Sequence, residues 1–268
     1  WVLDQHRTGN GDAVMPGTGY LELIAEALQG QGETGGFEVR DLMFLRPLHL
    51  ADGETRDIRV ALIRSDEGYR FETSSACKVD GRDAWQLHAE ARLALLPLTL
   101  PAPLDLSVIR DRCGAAERAG TGLALTTPQE AHLQFGPHWK VMRSRAIGQG
   151  IGIADLSLAD ELRQGSLHLH PGLLDLATGW AMTLIKGYQA DHLWVPVSYD
   201  RVRVHAPLSA DLVSVVTLAS GSADTGVASF DVTLCQPDGT VCVQVSGLTI
   251  KQVDTVAGFA HVVAPKAN

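Results

Sequence analysis

Pro171-Gly172-Leu173-Leu174-Asp175-Leu176-Ala177-Thr178-Gly179-Trp180-Ala181-Met182-Thr183-Leu184-Ile185-Lys186-Gly187-Tyr188 reads as one helix. Proline at its start has a φ suited to a helix and lacks the N–H that a first turn leaves unpaired. Leu173, Leu174, Leu176, Ala177, Trp180, Ala181, Met182, Leu184 and Ile185 wrap the whole circumference, the mark of a helix buried on every side. Asp175 stands inside that apolar surface. An ionised carboxylate without a partner is expensive to bury, so the neutral acid is favoured and its pKa should rise. A carboxylic acid held protonated near neutrality suits protonation of a poor leaving group such as hydroxide. Close to the helix start, the same side chain could instead cap the first turn by accepting backbone N–H bonds, with a lowered pKa. Both readings stand at this point.

The segments around this helix read as strands. Runs near Trp139 to Ala146 and Ile151 to Leu158 precede it, and runs near Val195 to Val204, Leu212 to Ala219, Val227 to Cys235 and Thr240 to Val253 follow. Gln236-Pro237-Asp238-Gly239 is a turn between two alternating strands. The first part of the chain has the same order of elements. A helix over residues 16–28, entered through Pro16-Gly17 and ending before Gly30, precedes strand-like runs at Glu38 to Pro47, Ile58 to Arg64, Tyr69 to Cys77 and Trp85 to Leu96. A hydrophobic helix wrapped by an antiparallel sheet, twice over, is a double hot dog, and the fold class is α+β. The expected division is an N-terminal half at 1–97, a Pro-, Gly- and Ala-rich connector at 98–128 with a short helix near Leu106 to Cys113, a C-terminal half at 129–256, and a tail at 257–268.

Composition narrows the function classes. The 268 residues are 45% hydrophobic and 20% charged, as in a folded globular protein with one large or two smaller cores. A formal net charge of −9, with no basic stripe interleaved with aromatics, argues against nucleic acid as a partner. Cys77, Cys113, Cys235 and Cys242 match neither zinc nor redox-pair spacing, so free thiols in a reducing compartment are expected. No apolar run is long enough to span a membrane and no leader pattern opens the chain, which makes cytoplasmic the expected location. The abrupt start at Trp1-Val2-Leu3 and the trailing end at Val263 to Asn268 suggest a piece of a longer polypeptide.

Two further features bear on chemistry. His6 precedes the turn Gly11-Asp12-Ala13-Val14-Met15-Pro16-Gly17 that feeds the first helix; alone it reads more readily as a surface or satisfied residue than as a base. Gly17 at a helix N-terminus would let an acyl carbonyl approach unpaired backbone N–H groups, although a Pro-Gly start also serves geometry alone. The pairs His168 with His170 and His132 with His138 lack a third ligand at suitable spacing, so no metal is expected.

His6 with Gly11 and Pro16, then Phe135-Gly136-Pro137-His138-Trp139, Leu169-His170-Pro171-Gly172-Leu173-Leu174-Asp175 and Val195-Pro196-Val197-Ser198-Tyr199 follow one another in a recognisable order. Over nearly its whole length the chain resembles the dehydratase domains of modular polyketide synthases. Their signatures are His-x-x-x-Gly-x-x-x-x-Pro, a Tyr-Gly-Pro-x-Phe-like motif and His-Pro-x-x-x-Asp-x-x-x-Gln/His. The first-helix start also resembles that of single-hot-dog fatty-acid dehydratases.

The resemblance implies that His6 and Asp175, from different halves, meet across a substrate tunnel as catalytic base and acid. Gly11, Pro16, Gly17, Phe135, Gly136, Pro137 and Gly179 are the implied substrate-binding residues, and His170 is implied to have a structural role. The implied reaction is loss of water from a β-hydroxyacyl thioester. It needs no cofactor, because the acyl chain arrives on the phosphopantetheine arm of an acyl carrier protein. The carrier and other domains of the same synthase are the implied partners, with room for a homodimer. Three departures stand out. His6 to Gly11 is one residue longer than the family spacing, Phe135 and Trp139 replace Tyr and Phe, and Gly179 stands where Gln or His orients the acid. Alternatives on the same scaffold are a cyclase or isomerase, an acyl-CoA hydratase or thioesterase, and an inactive structural domain of a megasynthase.

Overall fold

The structure is a computed structural model that describes residues 1–95, 97–163, 165 and 167–253; Leu96 and the expected tail at 257–268 lie outside the described residues. The chain runs β1 (His6–Thr8), β2 (Ala13–Val14), α1 (Gly17–Gly30), β3 (Phe37–Phe44), β4 (His49–Leu50), β5 (Ile58–Ser65), β6 (Gly68–Val79) and β7 (Arg82–Ala94). After these come α2 (Leu106–Asp111), β8 (Glu117–Arg118), β9 (Leu133–Phe135), β10 (Met142–Ile147), β11 (Ile151–Ser157) and α3 (Pro171–Gly179). The last strands are β12 (Leu193–Val204), β13 (Asp211–Ser222), β14 (Val227–Cys235) and β15 (Val241–Val253).

Tyr20, Leu21, Ile24, Ala25 and Leu28 bury one side of α1, and Leu21 and Ile24 are fully enclosed. The helix ends in a turn in which Gly32, at φ +84°, takes the left-handed conformation and donates its N–H to Gln29 O. Alternation does the corresponding work in the strands, with Tyr69, Phe71, Thr73 and Ser75 of β6 all turned inward.

The fold is the expected double hot dog, with one refinement. The two sheets are not separate but join edge to edge, because β3 pairs antiparallel with β12 (Val39 opposite Val202, Met43 opposite Ser198). The result is one eleven-stranded antiparallel sheet in the order β5-β6-β7-β3-β12-β15-β14-β13-β11-β10-β8. A second sheet, β4-β2-β1-β9, joins three short strands of the first fifty residues to β9, which follows the connector, and carries His6. The helices are tied together at their starts. Thr18 Oγ1 donates to Pro171 O at 3.1 Å, and the buried Glu22 carboxylate accepts the backbone N–H groups of His168 and Leu169.

Two expected elements differ. The helix expected over 171–188 ends at Gly179, and only a single 3-10 turn, Met182–Leu184, follows. Gly179 is a poor helix former, and Trp180 is drawn away by a tertiary bond in which its Nε1–H donates to Ser214 Oγ at 3.1 Å. Ser214 in turn donates to the free helix carbonyl of Ala177 at 2.6 Å. The strand expected from Trp139 starts only at Met142, because Pro137–Trp139 forms a 3-10 turn. The 98–128 segment also packs: Leu104, Leu106, Ile109 and Cys113 cover a small core of Ala146, Ile151, Ile153, Val213 and Val215 on the far side of the sheet. All four cysteines are free thiols, and among the described residues no helix is long and apolar enough to cross a membrane.

Candidate active site

His6 opens β1, which is pinned on both sides, with Arg7 opposite Ala13 of β2 and His6 opposite Phe135 of β9. The additional residue between His6 and Gly11 is taken up in a tight turn. Thr8 N–H donates to Asp12 O, Gly11 N–H donates to Thr8 O, and Gly11 has φ +91°. His6 is 6% exposed, and its Nδ1 lies 2.8 Å from Val14 O. A carbonyl only accepts, so Nδ1 carries the hydrogen and Nε2 keeps its lone pair free.

Asp175 is the fifth residue of α3 and does not cap it. The cap is His170, whose Nδ1 accepts the Leu173 N–H at 3.1 Å. Burial pushes the His170 pKa down to about 4, which keeps the ring neutral and able to accept. Asp175 Oδ2 instead accepts the Trp139 Nε1–H at 2.9 Å and lies 3.8 Å from His6 Nε2. Burial raises the Asp175 pKa; His6, the Trp139 bond and the Thr18 hydroxyl oppose this without reversing it.

The two side chains share a cavity of about 130 Å³, lined mostly by apolar groups. His6, Pro16, Gly17, Phe135, Asp175 and Gly179 lie on its wall. Gly11, Gly136 and Pro137 do not; they build the frame behind it. Gly136 N–H donates to Gln5 O at 2.9 Å, and its missing Cβ makes room for the Gln5 side chain, whose Oε1 accepts the His138 N–H at 3.0 Å. Gly17 permits close packing, since a Cβ there would sit 2.9 Å from Phe44 and 3.1 Å from Pro196. At Gly179 a Cβ would meet nothing within 4 Å, so this position leaves open space. Tyr20 Oη and Gln129 Oε1, on the same wall, are buried without a hydrogen-bond partner.

Sequence reasoning read Trp139 as aromatic packing only. In the structure it is 1% exposed, its ring centroid lies 5.5 Å from that of His6 and 6.0 Å from that of Phe135, and its N–H reaches the acid. A buried indole must place its N–H on an acceptor, and that requirement was the available signal. The paired histidines have other employment. His132 Nε2 bonds Ala190 O, and the His138 ring stacks on His170. Among the described residues no group of three or more His, Cys, Asp or Glu side chains is placed to hold a metal.

Residues 101–259 match the family model described as polyketide synthase dehydratase N-terminal domain, and residues 1–76 match that of polyketide synthase dehydratase domain. The polyketide synthases PksM and PksN of Bacillus subtilis are 25% and 24% identical to the chain over 91% and 94% of its length. The chain spans only 6% and 5% of those relatives. The dehydratase domain from the CurJ module of curacin polyketide synthase shares the fold with a TM-score of 0.80 at 17% identity, covering 98% of this chain and 89% of that one. A trans-AT polyketide synthase dehydratase domain from Brevibacillus brevis gives a TM-score of 0.81 at 21% identity, covering 94% and 90%. With the first family model alone matching more than half of the residues, the chain belongs to the polyketide synthase dehydratase family, hydro-lyases that remove water from β-hydroxyacyl thioesters.

Proposed function

We propose that His6 and Asp175 perform this dehydration as base and acid. The observation that carries the reading is the approach of His6 Nε2 to Asp175 Oδ2, 3.8 Å, on the wall of one apolar cavity and from two distant parts of the chain. His6 Nε2, left unprotonated by the bond from Nδ1–H to Val14, takes the α-proton. The electrons of the broken C–H bond form the Cα=Cβ bond as the Cβ–O bond breaks, and Asp175 protonates the departing hydroxyl to give water. The Gly17 N–H, in the first turn of a helix that has no side-chain cap, supports the developing enolate oxygen. Turnover leaves His6 protonated and Asp175 ionised, and proton exchange with the product water and solvent returns both groups to their starting states. Phe135, Pro16 and Gly179 line the path of the acyl chain, while Gly11, Gly136 and Pro137 act through the frame.

The substrate arrives on the phosphopantetheine arm of an acyl carrier protein, with tethering in one polypeptide supplying the effective concentration. Other synthase domains are its neighbours, in keeping with the multidomain relatives it matches. No cofactor takes part, and the setting is cytoplasmic. The division into halves at 1–97 and 129–256, linked by 98–128, belongs to the same reading. Mass-spectrometric detection of water loss from β-hydroxyacyl carrier proteins tests it. His6→Ala and Asp175→Asn should each lower turnover about 10²-fold or more, the contribution of a positioned acid or base. Turnover within a few-fold of wild type for either variant would remove that residue from its role.

A further inference from the structure

Trp139 does more than pack. Its N–H, fully enclosed, donates to Oδ2 of Asp175, the oxygen that also faces His6 Nε2. An indole N–H only donates, so the oxygen it meets must offer a lone pair. In a neutral carboxylic acid the better acceptor is the carbonyl oxygen rather than the hydroxyl. We infer that Trp139 is the positioning residue of the acid, holding Oδ2 as the carbonyl oxygen so that the transferable proton sits on Oδ1, away from the base. The inference rests on the assignment of Asp175 as the acid.

A proton on Oδ2 would point toward His6 Nε2. Its transfer would give a protonated base beside an ionised acid, a pair in which neither group can start the reaction. With the indole on Oδ2, base and acid stay in opposite and productive states. The groups facing Asp175 leave this task to Trp139. From β1 comes His6, whose Nε2 stands 3.8 Å from Oδ2; from α1 comes Thr18, whose hydroxyl lies beside Asp175 but gives its hydrogen to Pro171 O at 3.1 Å; from β12 comes Tyr199, whose buried phenol bonds the Thr178 hydroxyl. Gly179, one helical turn beyond Asp175, offers no side chain.

The frame holds the indole to this geometry. The 137–139 turn is bonded to Gln5 through the Gly136 and His138 N–H groups and lies against Gly172. A Cβ on Gly172 would stand 2.5 Å from His138 O and 3.1 Å from the Trp139 ring. The acid's helix and the donor's turn are thus in backbone contact.

The experiment follows kcat, KM and the pH profile of dehydration with a 3-hydroxyacyl pantetheine thioester as probe. Two variants remove the N–H. One is Trp139→Phe; the other replaces Trp139 by its benzothienyl analogue, in which sulfur stands in place of N–H and the shape is retained should the phenylalanine variant fail to fold. One lost hydrogen bond to a charged or reacting carboxyl predicts a fall in kcat of about 10-fold, with KM within about two-fold of wild type. Losing a donor to the carboxylate disfavours its ionised form, so the alkaline limb of kcat moves to higher pH. An unchanged kcat, or a fall in kcat with the limb unmoved, overturns the inference, since packing alone would leave the profile in place. Asp175→Asn separates this failure from the larger one. If that variant is inactive while the benzothienyl variant is normal, only the role of Trp139 falls; if it turns over normally, the acid assignment and the inference fall together.

Discussion

Gly172→Ala places a single methyl group at the contact between the acid's helix and the Trp139 turn. The new Cβ would lie 2.5 Å from His138 O, 3.0 Å from His138 C and 3.1 Å from Trp139 Cδ2. The first of these is 0.9 Å inside the 3.4 Å at which ordinary contact begins, and the atom it meets is backbone, which cannot swing aside. Overpacking of this kind costs about 1–3 kcal/mol. For a domain of this size that is a fall in Tm of about 2–12 °C. The easier relief is for the 137–139 turn to move away from α3. It would carry Trp139 Nε1 from 2.9 Å to beyond hydrogen-bond range of Asp175 Oδ2. Dehydration should therefore fall about 10-fold in kcat, while KM changes by no more than about two-fold. Thermal denaturation and steady-state dehydration on the same preparation read both effects. A variant with wild-type Tm and wild-type kcat would refute the claim that this backbone contact holds the donor in place.

Two further outcomes follow from the cavity and from the acid. Gly179→Gln fills open space on the cavity wall, so turnover of short acyl chains should stay within about three-fold of wild type while KM for long or branched chains rises; equal effects on all chain lengths would show that the position does not line the acyl path. The Asp175 pKa is raised by burial above its ordinary 3.8, so the folded state binds this proton more tightly than the unfolded chain does. Its stabilising contribution is present below pH 3.8 and is lost as pH rises through the folded value, leaving a buried charge. Asp175→Asn keeps an acceptor for Trp139 and carries no charge. The Tm of the variant relative to wild type should accordingly rise with pH, and a difference that is flat or falls with pH would contradict the upward shift.

How much of this was legible depends on how far apart in the chain the interacting groups lie. Both ends of α1 are written locally, in Pro16 and in Gly30 to Gly32, and the β14–β15 hairpin in Gln236 to Gly239, whereas its register, Val232 opposite Val245 and Leu234 opposite Val243, is seen only in the structure. The apolar periodicity after Pro171 continues through Ile185, yet the helix stops at Gly179, because what diverts Trp180 is Ser214, 34 residues further on. Edge joining of the sheets needs β3 and β12 to meet from opposite ends of the chain, which no local pattern announces. In the site, the burial of Asp175 was readable from the helix around it. His6 stood out only through the spacing of the family motif.

Trp139 was hidden for the same physical reason. Its acceptor lies 36 residues away, and the substitution of Trp for Phe looks conservative as long as only ring area is counted. What Trp adds to Phe is one N–H, and on the wall of a mostly apolar cavity one N–H decides which carboxyl oxygen can carry a proton. Gly179 looks like a loss on the same count, since it removes the side chain that orients the acid in the family motif. The two departures belong together once both are referred to Asp175. The donor is supplied from the turn in front of the acid rather than from the helix behind it, and the space behind is left open to the cavity. Gly172 and Gly136 bring that turn close enough for the exchange to work, because Gly172 clears the His138 carbonyl and Gly136 clears the Gln5 side chain that holds the turn.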